Sequence, residues 1–319
     1  MNINIRKMKN QYSVLAFYKY VEIDSPENFR DSHHELCVKN KLLGRIYIAK
    51  EGINGTVSGL KKNCDNYIKE LKNDSRFFDM DIKMHNASEH AFQKINVRVK
   101  NEIVNSGLKN LDPSKEFHSR IKPKDFWKNI DDNTIVLDMR SNYEHKLGKF
   151  KGAMTLDIDN FREFPKKLEE VKDKLVGKKV IAYCTGDVKC EKASVYLKNL
   201  GVKDVHHLEG GIIRYGLETD GRDFEGKCYV FDNRVTVEIN KHNPSVISKC
   251  YICDFFTDKM VNCANSECNL HTTICEKCLK EKDGACSKEC KMSITKRDFN
   301  EKGYFYRKLN GYRYSQMDN

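Results

Sequence analysis

The sequence predicts a mixed α/β and α+β protein of three consecutive modules. Three observations predict it: a β-α-β-β-α-β order over the first hundred residues, short apolar strands alternating with helices in the middle, and a cluster of cysteines towards the end. With 319 residues the chain is long enough for two or three domains, each with its own core. The boundaries expected are 1–108, 109–218 and 219–319.

In the first module YSVLAFYKYVEI is rich in β-branched and aromatic residues and reads as a strand. SPENFRDSHHELCVKNK then opens a helix, with Ser25 at the N-cap and Pro26 at the first helical position. GRIYIAKEGINGTVSG reads as a strand, a Gly/Asn turn and a short partner strand. The helix CDNYIKELKN and the strands FFDMDIKMH and KINVRVKNEIV complete a ferredoxin-like arrangement.

LKNLDPSKEFHSRIKPKDF holds two of the five prolines and reads as a linker that ends in a helix, PKDFWKNI. In the second module TIVLDMRS and KKVIAYC are nearly continuous apolar strands, and FREFPKKLEEVKDKL and EKASVYLKNLG have helical patterns. Such alternation implies a parallel sheet covered on both faces, with its chemistry at the carboxyl ends of the strands. After about residue 218 the period is lost. The tail from 291 is rich in Lys, Arg and Tyr and has too little aliphatic content for a core.

Hydrophobic residues make up 39% and charged residues 32%, which fits a soluble folded chain. A net charge of +11 favours a polyanionic partner such as a nucleic acid, although a solvated basic surface gives the same total. No run approaches the roughly 20 apolar residues of a membrane span, and the start lacks a signal core. A cytoplasmic protein without a membrane partner is expected. In a reducing compartment, 13 cysteines point to metal or catalysis rather than to disulfides.

Cys184 heads the loop CTGDVKC, between an apolar strand and a helix. Amides curled at a helix N-terminus stabilise an anion and depress a thiol's pKa, so Cys184 is a candidate thiolate nucleophile. The alternative is a small buried cysteine at a strand end. The Gly186 turn, Lys189 and the downstream LEGG favour the nucleophile.

Eight cysteines, in CYIC, CANSEC, CEKC and CSKEC, suit two closed Cys₄ zinc sites: Cys250, Cys253, Cys263, Cys268, Cys275, Cys278, Cys286 and Cys290. Interleaved sharing, first pair with third and second with fourth, is preferred over sequential sharing. His271 is a bystander beside so many thiols. His33, His34, His206 and His207 lack partners at metal spacing and are expected to be structural or exposed.

VLDMRSNYEHKLGKFKGAMTLD, then YC, a short loop, a helix and HLEGGI resemble a rhodanese domain. The resemblance implies Cys184 as the persulfide-carrying residue of that loop and makes Asp138 and Arg140 its polar, substrate-binding pair. A Cys-x5-Arg phosphatase shares the anion logic, but position 190 is cysteine. With FYKYV and KEGINGT in front and the cysteine-rich segment behind, residues 14 to 290 resemble the oxygen-dependent tRNA uridine(34) hydroxylase family.

That resemblance implies 5-hydroxylation of uridine 34, with O₂ as co-substrate, tRNA as partner and no DNA. It makes Cys184, Cys190 and Lys189 the catalytic set, Cys190 serving as resolving thiol or as helix cap. Arg98 and Lys100 in VRVKNEIV are candidates for tRNA phosphate, and Lys50, Glu51 and Asn54 for a pocket facing Cys184. The family loop reads CTGGIRCEKAS, so Asp187 and Lys189 depart from it. Lysine lacks arginine's planar fork, and an aspartate beside the loop opposes a thiolate unless it points away. A sulfurtransferase and a non-catalytic tRNA-binding adaptor are the rival readings.

Overall fold

The computed structural model describes residues 11–108, 111–116 and 119–299. The first ten residues, with the start read for a signal core, and the basic tail from 300 lie outside them.

The front module is built from β1 (Tyr12–Tyr20), α1 (Pro26–Lys39), β2 (Leu43–Ala49), β3 (Gly52–Leu60), α2 (Lys61–Lys72), β4 (Ile82–Ala87) and β5 (Ile95–Val99). Its sheet order is β4-β1-β3-β2-β5, the ferredoxin-like order with a fifth strand parallel to β2. Strand alternation sends Leu15, Phe17, Ile46, Ile48 and Val57 under the two helices, where they meet Cys37, Tyr67 and Leu71. The other face of the sheet turns towards the middle module. Ser25 sits at the N-cap of α1 with Pro26 behind it, but its side chain makes no capping bond.

The middle module contains β6 (Ser119–Ile121), β7 (Thr134–Asp138), α3 (Asn142–His145), β8 (Gly148–Phe150), β9 (Met154–Thr155), α4 (Phe164–Glu170), α5 (Lys172–Leu175), β10 (Lys179–Tyr183), α6 (Val188–Asn199), β11 (Asp204–Leu208) and α7 (Gly211–Thr219). Its sheet is parallel, in the order β6-β11-β10-β7-β9, so β10 and the loop behind it are central. Apolar cores cover both faces.

Three local expectations need correction. SRI, read as linker, pairs with β11 as the edge strand. PKDFWKNI forms two 3₁₀ turns instead of an α-helix, because Phe126 turns into the core while Trp127 Nε1 donates to Tyr215 Oη at 2.7 Å. FREFPKKLEEVKDKL breaks at Val171 into α4 and α5.

Beyond residue 218 the chain is still regular. β12 (Phe224–Tyr229) lies between β8 and β13 (Thr236–Glu238) in a small antiparallel sheet. Its inward residues are Phe224, Gly226 and Cys228, and the glycine and cysteine hid the alternation. Phe224, Cys228, Val230 and Ile239 join the core of the middle module. The last part contains β14 (Met260–Asn262), β15 (His271–Thr273), α8 (Glu276–Glu281) and α9 (Lys288–Met292), around a core made largely of cysteines. No helix among the described residues is long and apolar enough to cross a membrane.

Candidate active site and metal centres

Cys184 follows β10 directly, and α6 starts four residues later. The loop between them is shaped from two sides. On the carbonyl side, Ile212 N donates to Cys184 O at 3.0 Å and Ile213 N to Thr185 O at 3.1 Å, so the first turn of α7 holds the loop's oxygens. Gly211 makes this approach possible. It sits at φ +65°, and a Cβ there would lie 2.5 Å from Cys184 O.

On the amide side, Asp187 N donates to Cys184 Sγ at 3.1 Å, the Lys189 amide donates as well, and so does the Cys190 thiol. Burial pushes the Cys184 thiol up, and the Asp187 charge adds to this. The Cys190 bond, the Lys189 charge and the Lys189 amide outweigh both and hold it below its ordinary value. Burial and the donation to Cys184 push the Cys190 thiol well up, so the sulfur next to the anion keeps its proton.

Asp187 and Lys189, the two loop positions singled out in the sequence, have visible partners. Asp187 occupies a left-handed position, φ +85°, that favours glycine. Its carboxylate turns from the sulfur to accept from His207 Nδ1 at 2.5 Å and Gly210 N at 3.3 Å. Burial raises this carboxyl, but His207, Lys83 and Arg120 more than compensate and keep it below its usual range. Lys189 Nζ donates to Glu144 Oε2 at 2.6 Å and lies 5.8 Å from the ring centres of Phe161 and Phe231. Glu144 is fully buried and closes a capping box with Ser141.

Cys184 itself is only 1% exposed, while Thr185, Gly186, Val188 and Lys189 of its loop are half-buried. It lines a cavity of about 520 Å³ between the modules, together with Lys189, Phe161 and Phe231 from the middle module. Ala16, Tyr18, Arg45, Tyr47, Asn54, Lys83 and Lys100 come from the front sheet. The front module also grips the loop. Lys83 Nζ donates to Gly186 O at 3.3 Å, Tyr20 Oη to Val188 O at 3.0 Å and Tyr18 Oη to Glu191 Oε1 at 2.9 Å. Lys192, 1% exposed, pairs with Glu102 at 2.6 Å and Glu51 at 2.9 Å.

Of the sequence candidates, Cys184, Cys190 and Lys189 come together. Asp138 and Arg140 do not line the cavity. Both are fully buried and paired with each other, with Nε–Oδ1 at 2.9 Å and Nη2–Oδ2 at 2.7 Å; Tyr183 Oη donates to Asp138, Arg140 Nη2 also donates to Gly148 O, and Arg140 Nη1 has no partner among the described residues. The sequence reading made them a substrate-binding pair; in the structure neither side chain reaches the cavity. Lys100 reaches the cavity, whereas half-buried Arg98 donates to Asn96 Oδ1 at 2.8 Å outside it. Asn54 lines the cavity, and Glu51 is held by Lys192.

His207, expected to be structural or exposed, is the buried partner of Asp187. His206 bonds Ser119 and Asp204, and His33 bonds Tyr67. Glu144, Lys83 and Tyr18 are the residues that sequence reasoning missed. Only Glu144 had a local signal, the S-x-x-E of SNYE.

The eight C-terminal cysteines form two groups, Cys250, Cys253, Cys275 and Cys278, and Cys263, Cys268, Cys286 and Cys290, in the interleaved order. Within each group the sulfurs lie within 4.8 Å of one another, and three neighbouring pairs are 3.7 Å apart. Tetrahedral thiolates about 2.3 Å from an ion stand about 3.8 Å apart, so both groups fit a metal. Ile252 N, Cys286 N and Asn265 Nδ2 donate to Cys250, Cys263 and Cys290, as the orienting partners of metal thiolates do. His271 belongs to neither group. It bonds Asn262 and packs on Tyr143 and Tyr229, at the junction with the middle module.

The chain matches a UPF0176 acylphosphatase like domain over residues 12–103, a Rhodanese-like domain over 122–216 and a Rhodanase C-terminal domain over 225–291. It is 51% identical to a tRNA uridine(34) hydroxylase of Cytophaga hutchinsonii, covering 94% of this chain and 96% of that one. Proteins of the same name from Bacillus velezensis and Staphylococcus carnosus are 45% and 43% identical, with 88–89% of each chain covered. These likenesses span all three modules, including the Cys184 loop and both thiol groups, and the chain belongs to the tRNA uridine(34) hydroxylase family.

Proposed function

We propose that this protein hydroxylates C5 of uridine 34 in tRNA, with Cys184 as the reactive group and O₂ as co-substrate, one oxygen atom entering the base and the other leaving as water with two electrons and two protons from an external thiol-class reductant. The observation that carries the reading is a buried thiol held below its ordinary pKa at the wall of a cavity lined with basic and aromatic side chains. A base that reacts in such a cavity must leave its stack, and an anticodon loop presents its bases already unpaired. The net charge of +11 favours the phosphates around it.

Within the cavity the chain's own groups divide the work. The loop amides and the Cys190 proton stabilise the Cys184 anion, Lys189 supplies a positive charge held by Glu144, and the front sheet excludes water. Asp187 is turned to His207, which keeps its charge off the sulfur. The loop thus survives its departures from the family sequence, and this supports an enzyme over an adaptor.

The two thiol groups hold Zn²⁺ in closed structural sites, and the protein works in the cytoplasm. The same amide-lined loop also suits a sulfane sulfur on Cys184, which keeps sulfur transfer as the second reading. Bulk tRNA from a strain lacking the gene, and from the same strain carrying it on a plasmid, separates them by mass spectrometry. Loss and recovery of 5-hydroxyuridine-derived nucleosides are expected. Unchanged levels, in a strain without a second route, reject the hydroxylase reading.

A further inference from the structure

The cavity wall contributed by the front module is one face of its sheet, and the strand register fixes the order of side chains on it. One row runs Tyr18, Asn54, Tyr47 across β1, β3 and β2. The neighbouring row runs Lys83, Ala16, Thr56, Arg45 across β4, β1, β3 and β2. Both rows line the cavity. Adjacent strands are about 4.8 Å apart, so the two tyrosines stand about 10 Å apart across Asn54. Ala16 and Thr56 are short, which leaves a low floor beside them. The register thus places an aromatic side chain on either side of Asn54, a spacing that suits one planar ring.

The floor residue is oriented. Asn54 Nδ2 donates to Ile103 O at 2.9 Å, which fixes the amide and leaves its Oδ1 as the acceptor offered to the cavity. Uracil and cytosine differ at the edge such an acceptor meets. N3 of uracil carries a proton and donates, whereas N3 of cytosine is itself an acceptor and is repelled. Arg45, in the next row, makes no ion pair among the described residues, and its charge suits the phosphate beside a base in the cavity.

We infer that Asn54 is the specificity-determining residue of this site: it accepts the N3–H of the target uracil held between Tyr18 and Tyr47, and so rejects cytidine. The inference rests on the uridine-34 reading. Its test is chosen so that the two fail separately.

The measurement is the affinity of the full, zinc-loaded protein for three anticodon stem-loops that carry uridine, 3-methyluridine or cytidine at position 34. One hydrogen bond to a buried acceptor corresponds to about a tenfold change in affinity. The wild type should bind the uridine loop about tenfold more tightly than either other loop. Asn54→Ala should bind all three within about twofold. Equal affinities for the three loops in the wild type overturn the inference without any variant, and so does an unchanged discrimination in Asn54→Ala. Hydroxylation of the uridine loop by the wild type is followed in parallel. If it is absent, the uridine-34 reading falls and this inference with it; if it is present while discrimination is insensitive to Asn54, only this inference falls.

Discussion

Three buried thiols show what the loop does to a single residue. Burial pushes Cys37 and Cys228 up to about 12, while Cys184, no less buried, ends below its ordinary value. Iodoacetamide should therefore label Cys184 at a lower pH than Cys37 or Cys228, as peptide mass spectrometry would show. The sign is that of a depressed acid: labelling is complete above the folded-state pKa and is lost as pH falls through it. Lys189→Gln removes a charge that lowers this pKa, so its labelling curve should move to higher pH. It also leaves the Glu144 carboxylate buried without its cation, at a cost of about 3 kcal/mol in a denaturant melt. Cys184 was legible because a strand end, a glycine turn and a helix start are local signals. The Asp187–His207 and Lys189–Glu144 pairs were not, since the partners lie 20 and 45 residues apart and only the fold joins them.

At the scale of elements, the loop depends on the first turn of α7, and that turn depends on Gly211. Gly211→Ala combines a positive φ with a Cβ forced against Cys184 O. It should lower stability by about 1–3 kcal/mol and slow Cys184 labelling by an order of magnitude or more, because the amides shift off the sulfur. Wild-type labelling kinetics in this variant would contradict the assigned role of the turn. The C-terminal segment depends on its thiols, since cysteines supply most of its core. Prolonged chelation should release two equivalents of zinc and expose the 250–290 region to protease, while the two front modules resist. The cysteine spacing made the interleaved pairing of these thiols readable, as two groups that fit a metal. β12 was unreadable because glycine and cysteine fill positions where a strand usually shows aliphatic residues.

At the scale of the whole molecule, the cavity exists only while the front sheet is docked on the middle module. Lys192 is central to that docking, buried between Glu51 and Glu102 of the front module. Lys192→Met should cost about 3 kcal/mol by leaving carboxylates without their cation, and should make the front module unfold at a lower temperature than the middle module in a thermal melt. One cooperative transition at wild-type temperature would place the docking energy elsewhere. The order of the modules could be read from strand and helix periods in the first two and from cysteine spacing in the third, but the face on which the modules meet could not, because alternation alone does not say which side of a sheet a partner covers. The central claim is that the Cys184 anion is the reactive centre for uridine 34. It is tested most directly by a single-turnover assay of oxygen incorporation into an anticodon stem-loop by the wild type and Cys184→Ser, with stem-loop affinity measured on the same samples. The account predicts modification by the wild type, none by Cys184→Ser, and equal affinities; modification by Cys184→Ser at a comparable rate would contradict it.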